Sequence, residues 1–249
     1  MIKYSEKNGI GLIMLNRPEK RNALHPEMVD AIKERIAFIK NNDNIKVLII
    51  SGEGTSFCAG ADLAYLNELK NYSAVENEKD SENLAELFLN IYDFPKPLIA
   101  AVNGPAIAGG CGLASVCDFI IAETNKAKFG YSEVKIGFVP AIVSIFLIKK
   151  IGEGRAKQLL LSGEIISAQK AYDLGFADII SNDVLKESFM FAERLCSNSL
   201  ASLKMTKKMI SSISNLTVDN AVNYAVRLNT ISRAAGDFKE GLNNFLNKK

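Results

Sequence analysis

The 249-residue chain has no tryptophan, a single histidine and only four cysteines. With His25 alone, a multi-histidine zinc site or a Ser-His-Asp triad is hard to build, and no metal is implied. Any chemistry therefore falls to carboxylates, backbone amides, Tyr, Lys, Ser or Cys. Cys58, Cys111, Cys117 and Cys196 show no CxxC pairing and are too few for a disulfide scaffold; for Cys58 and Cys111, small buried thiols are the plain reading. Charge of one sign is lacking too: 30 Lys and Arg against 28 Asp and Glu leave +2, too balanced to draw the chain to nucleic acid or an acidic membrane. The longest apolar runs, such as Leu98 to Val102 and Ile142 to Ile148, fall far short of the ~20 residues of a membrane span. Met1 to Lys7 lacks the apolar stretch of a signal peptide. These absences predict a soluble cytoplasmic protein.

What remains is the profile of an ordinary globular protein, 48% hydrophobic and 23% charged. The length fits one or two domains and permits a sizeable core. Strand-like and helix-like segments alternate over the first 140 residues. Ile10 to Leu15 reads as a strand. Pro26 to Lys40 reads as a helix, with Met28, Val29, Ile32, Ile36 and Ile39 at helical spacing and Pro26 in the first turn. Lys46 to Ile50, Leu98 to Val102 and Phe119 to Ala122 are buried-strand candidates. The polar, acidic stretch from Glu68 to Asn83 has weak periodicity and reads as a mobile loop or frayed helix. Beyond Pro140 the pattern predicts helices only. The segments are Ile142 to Ile151, Arg155 to Ser162, Ala168 to Leu174, Val184 to Asn198 and Leu216 to Ala234. This order suggests an α/β core over 1–195 with a helical extension over 196–249.

Three glycine-bearing segments could carry chemistry. Ser56 to Leu63 offers small residues that let a ligand approach the backbone, although a tight turn capped by Asp62 is the plainer reading. Gly104 to Gly112 holds four glycines in nine residues, either for close helix packing or for a loop of exposed amides. A dinucleotide fingerprint fits poorly: Gly110-Cys111-Gly112-Leu113-Ala114-Ser115 ends in Ser and comes too late in the fold, even with Glu133 about twenty residues on. The phosphate-loop motif is absent. In Phe129 to Pro140, Glu133 sits among Phe129, Val134, Ile136 and Phe138. It is either a carboxyl with a raised pKa or a surface partner of Lys128 or Lys135.

Taken in order, these segments resemble the crotonase family of enoyl-CoA hydratases and isomerases along nearly the whole chain. Asn16 to Leu24 is similar to its NRP-x-x-x-NAL opening and Phe57 to Leu63 to its F-x-A-G-A-D-L/I segment. Pro97 to Asp118 resembles the K-P-x-I-A-A-V-x-G run with its glycine cluster, and Asp237 to Lys249 the usual ending. The resemblance implies a crotonase fold of repeated ββα units with a helical C-terminal trimerisation region, as a homotrimer or hexamer. It implies Ala61 and Gly109 N–H groups as an oxyanion hole for an acyl-CoA thioester, with coenzyme A as part of the substrate and no other cofactor. It also places Lys20, Arg21, Ala23, Ala59, Gly60, Asp62, Leu63, Gly110, Phe245 and Lys248 along the CoA.

Of the two acid/base glutamates in the hydratases, Glu133 matches the second, while Gly112 stands in the place of the first. Likewise Pro140-Ala141-Ile142-Val143-Ser144 replaces the common P-G-A-G-G. The wording from Ser132 to Ala141 is similar to methylglutaconyl-CoA hydratase-like members of leucine breakdown. The implied activity is hydration of a 2-enoyl-CoA, branched or carboxylated. The alternatives are a single-glutamate enoyl-CoA isomerase or an idle CoA- or RNA-binding relative. From sequence alone, restoring a glutamate by Gly112→Glu is expected to raise crotonyl-CoA hydration if the new side chain can be accommodated.

Overall fold

The computed structural model describes residues 1–247, apart from the Phe245 side chain. The chain opens with an antiparallel pair, β1 (Ile2–Lys7) and β2 (Ile10–Leu15), turned at Asn8-Gly9, both at positive φ. Helix α1 (Pro26–Lys40) follows and buries the five apolar residues that the spacing marked. Next come β3 (Val47–Gly52), α2 (Leu63–Leu69), α3 (Ala74–Tyr92) and β4 (Leu98–Val102). The short β5 (Ala106–Ile107), α4 (Gly109–Ser115), β6 (Phe119–Glu123) and β7 (Lys128–Gly130) complete the part that shapes the site. Then follow α5 (Ala141–Ile151), α6 (Glu153–Ser162), β8 (Ile165–Ser167), α7 (Ala168–Asp173), β9 (Ile179–Ser181) and α8 (Val184–Cys196). The chain ends in α9 (Leu200–Ile213), α10 (Val218–Ala234) and α11 (Gly236–Leu246).

Two sheets result. The larger has six strands in the order β1-β2-β3-β4-β6-β9, parallel from β2 onward, and the smaller has the order β5-β7-β8. Successive ββα units send one strand to each sheet: β4 and β5 precede α4, and β6 and β7 precede α5. The central strands are covered on both faces, which explains why they read as continuous apolar runs rather than alternating ones. Along β3, Leu48 and Ile50 face the main core with α1 and α3, while Val47 and Ile49 face a smaller cluster under α8.

The structure decides one expectation and corrects another. From Glu68 to Asn83 the helix reading holds over the mobile loop, because most of the stretch belongs to α3. That helix starts at a reciprocal capping box in which Ser73 Oγ accepts from the Glu76 N–H and Glu76 accepts from the Ser73 N–H. Its buried residues, Leu87, Phe88 and Ile91, all lie in the last turns, so the first half carries no apolar period. Nor is the chain beyond Pro140 helical throughout. Strands β8 and β9 add to the small and large sheets respectively, and each is only three residues long. Among the described residues, α9 to α11 bury none fully.

Candidate active site

The small sheet determines which residues meet. Parallel β5 and β7 set Ala106 opposite Phe129 and Ile107 opposite Gly130, and Cys58 bridges Ala106 on the other side. Neighbouring strands lie about 4.8 Å apart. From these paired positions the three segments run on to Ala61, Gly109 and Glu133. The Ile107 N–H donates to the Cys58 carbonyl at 3.0 Å and the Ala108 N–H to the Gly130 carbonyl at 2.7 Å, which locks the three segments together.

Close approach explains Gly60 and Gly110. Gly60 has φ +88, and a Cβ there would stand 2.8 Å from the Ile107 carbonyl oxygen and 3.4 Å from the Gly109 nitrogen. At Gly110 a Cβ would fall 2.1 Å from the Cys58 carbonyl oxygen, so this buried glycine serves helix-to-strand contact. Between them Ala108 holds φ 51 and ψ −121, a conformation costly for a residue with a Cβ. That turn starts α4 and leaves the Gly109 N–H without an acceptor among the described residues; the Ala61 N–H is equally unspent. Free backbone donors of this kind suit an oxygen that gains negative charge.

Glu133 is buried, its Oε2 has no hydrogen-bond partner, and burial pushes its carboxyl above the ordinary glutamate range. Of the two sequence readings, the buried carboxyl holds and the surface partner of Lys128 or Lys135 does not. Beside it the Tyr131 hydroxyl is also buried and unpartnered. A carboxyl that keeps its proton more readily and stays free of partners is suited to giving and taking one.

The remaining implied residues separate into exposed and built-in groups. Lys20, Arg21 and Leu63 are exposed, whereas Ala23 and Gly60 are buried and Ala59 half-buried. The Ala59 N–H donates to the Arg21 carbonyl at 3.0 Å, joining the opening motif to the Ala61 segment. Asp62 is buried and committed: Oδ2 pairs with the Arg17 guanidinium at 2.7 Å and Oδ1 accepts from the Ala64 N–H at 2.9 Å. Burial alone would raise its pKa, but the Arg17 hydrogen bond and charge, with the backbone N–H groups, hold it below the usual range. Lys248 and the Phe245 side chain lie outside the described residues.

Sequence reasoning missed Arg17 and Asn22. The Asn22 amide donates to the Glu53 and Ser56 carbonyls at 2.9 and 2.8 Å, while its Oδ1 accepts from the Arg17 N–H at 2.9 Å. Both residues lie in the opening motif, and the polar spacing alone did not reveal that they fasten the loop. A cavity of about 540 Å³ lined by Cys117, Phe146, Leu203, Lys207 and Ile210 lies elsewhere and includes none of Ala61, Gly109 or Glu133.

The family model for enoyl-CoA hydratase/isomerase matches residues 5–249. The chain belongs to that family. A Thermus thermophilus protein provisionally named an enoyl-CoA hydratase is 38% identical over 246 residues, covering 98% of this chain and 97% of its own. A crotonyl-CoA hydratase of Syntrophomonas wolfei is 33% identical over 252 residues, with 100% and 95% coverage. The crystal structure of an enoyl-CoA hydratase from Polaromonas superposes with a TM-score of 0.95 at 32% identity, covering 100% of this chain and 97% of that one. The two-sheet architecture is thus the crotonase fold, and the chain is an enzyme of the enoyl-CoA hydratase/isomerase family. No helix among the described residues is long and apolar enough to cross a membrane.

Proposed function

We propose that the chain adds water to a 2-enoyl-CoA through an oxyanion-stabilised thioester enolate. What supports this reading is that the Ala61 and Gly109 N–H groups are unspent and that Glu133 is a buried carboxyl whose Oε2 has no partner. The thioester oxygen accepts from both N–H groups, so charge that moves onto it during water attack at C3 meets fixed donors. Glu133 takes a proton from the attacking water and delivers one to C2. The acyl group is branched or carboxylated, like methylglutaconyl-CoA, because a substrate carboxylate can help hold the water that a second glutamate would otherwise hold. CoA lies along Lys20, Arg21 and the Ala59 to Leu63 strip, and no further cofactor takes part. Hydratase names on relatives that match the whole chain favour hydration.

Assembly belongs to the same reading. Val218, Val222, Val226 and Ile231 of α10 and Ile210 of α9 are exposed, and covering them calls for neighbouring copies of the chain in a homotrimer or hexamer. The enzyme works in the cytoplasm, with no nucleic-acid or membrane partner.

A second reading, enoyl-CoA isomerisation, is favoured by Gly112, which leaves Glu133 as the acid/base group on this wall. Moving one proton from C2 to C4 or back needs a single base. Incubation with crotonyl-CoA, 3-methylglutaconyl-CoA and a 3-enoyl-CoA, following hydration and double-bond shift separately, decides between them. Hydration fastest on 3-methylglutaconyl-CoA supports the first reading. Double-bond shift without hydration supports the second, and binding without turnover of any ester defeats both.

A further inference from the structure

We propose that Val143 is a specificity-determining residue that keeps this site to one carboxylate. The inference rests on the reading of Ala61, Gly109 and Glu133 given above and deepens it. Gly112 lies three residues after Gly109 on α4, on the same helix face, and helical side chains lean towards the N-terminus. A side chain on residue 112 would therefore reach back towards the Gly109 N–H, where the thioester oxygen is bound.

That space is already filled. A Cβ on Gly112 would stand 2.2 Å from Val143 Cγ1, 2.8 Å from Val143 Cβ and 3.4 Å from the Phe88 ring. Rotation about χ1 would move the Val143 methyl but not its Cβ, so relief requires α5 to shift against α4. Val143 is itself buried, packed in the main core cluster. It reaches this wall from the first turn of α5, ten residues beyond Glu133 in the chain. One segment thus supplies both the acid/base carboxyl and the hydrocarbon that occupies the position of a second one.

The expectation from sequence that Gly112→Glu raises crotonyl-CoA hydration depended on room for the side chain, and Val143 leaves none. Without a second carboxylate, the water or the mobile proton near C3 faces hydrocarbon and is handled by Glu133 alone. The acyl groups accepted are those whose reaction needs only one protein carboxylate.

The test compares Gly112→Glu, Val143→Gly and the double variant by thermal unfolding and by kcat and KM on crotonyl-CoA. Gly112→Glu is expected to unfold at a clearly lower temperature than the parent, and the double variant to regain the midpoint of Val143→Gly. The double variant is also expected to hydrate crotonyl-CoA at least ~10-fold faster in kcat than Val143→Gly, with KM changed much less. If Gly112→Glu does not fold, Gly112→Ala with and without Val143→Ala reads the same steric coupling in the midpoint. A parent-like midpoint for Gly112→Glu or Gly112→Ala overturns the proposal. So does a folded, CoA-ester-binding double variant with no gain over Val143→Gly. The underlying reading fails differently: the parent turns over no enoyl-CoA, while the unfolding midpoints still report whether residues 112 and 143 exclude each other.

Discussion

The pair between Arg17 and Asp62 should decide whether the Ala61 N–H is held in place or merely happens to lie there. Asp62 follows Ala61 directly, and its carboxylate is 7% exposed against 15% for the Arg17 side chain, at 2.7 Å. Arg17→Met leaves that carboxylate buried with only backbone N–H groups, of Ala64 and Tyr65, to answer it. Stranding one member of a buried pair costs about 3–5 kcal/mol. For a chain of this length each kcal/mol moves the unfolding midpoint by about 2–4 °C, so the expected fall is about 6–20 °C. Asp62→Asn keeps an acceptor for Ala64, and Arg17→Met/Asp62→Asn should lose far less than the sum of the singles, since no unpaired charge remains. The pH dependence has a definite sign. The folded-state pKa of Asp62 lies below its unfolded value, so its stabilisation is full above the unfolded pKa and is lost as pH falls through the folded one. The gap between parent and Arg17→Met should therefore be widest near neutral pH and close in acid. With the Ala61 segment loosened, kcat on an enoyl-CoA should fall at least ~10-fold while KM stays within about threefold. Additive single effects below ~1 kcal/mol, with kcat unchanged, would refute the reasoning.

Glu133→Gln should lower kcat by about 10²–10⁴-fold while CoA-ester affinity holds within tenfold. Because burial raises the Glu133 pKa, its ionised form penalises the fold, a penalty absent below the unfolded pKa and growing as pH rises; the variant should unfold at a higher temperature than the parent near pH 8, by a margin that vanishes near pH 4. Ala108→Gly should stabilise the fold by up to about 1 kcal/mol in urea titration, since relief of the φ 51 strain exceeds the added chain entropy, and should lower kcat by freeing the peptide that aims the Gly109 N–H. A loss of more than about 1 kcal/mol would show that Ala108 is not strained.

Long, repetitive features were legible in the sequence. Helix α1 and strands β2 and β4 have the boundaries that their apolar patterns suggested, because each buries a full face. The short strands were not. β5 has two residues and β7 has three, too few for any period, and they form only because Ala106 pairs with Phe129 across the sheet. Yet these two strands, through the Ala108 N–H on the Gly130 carbonyl, tie the segment leading to Glu133 to the one that carries Gly109. The Ser73-x-x-Glu76 capping box was present in the sequence, and the lack of apolar period in the first half of α3 hid it. The glycine cluster posed a choice between close packing and exposed amides, and both are true of different members. Gly110 and Gly112 press on Cys58 and Val143, while Gly109 presents its N–H. Nothing in a single sequence ties residue 112 to residue 143, because that link is a distance between two helices.

The site also concentrates features that folding alone disfavours. Ala108 carries a positive φ, Glu133 Oε2 and the Tyr131 hydroxyl lack partners, and the Ala61 and Gly109 N–H groups are unspent. Strain or a lost hydrogen bond of this kind costs about 1–3 kcal/mol each, against a total stability of only about 5–15 kcal/mol. Such a corner survives because its surroundings are over-determined. Asn22 is tied by three hydrogen bonds, Arg17 and Asp62 are clamped together, and the strands behind are apolar on both faces. The side chains that hold this site together therefore differ from those that act in it. Substitutions at Arg17 and Asn22 act on the backbone amides through geometry, whereas Glu133 can be exchanged with little change to the frame.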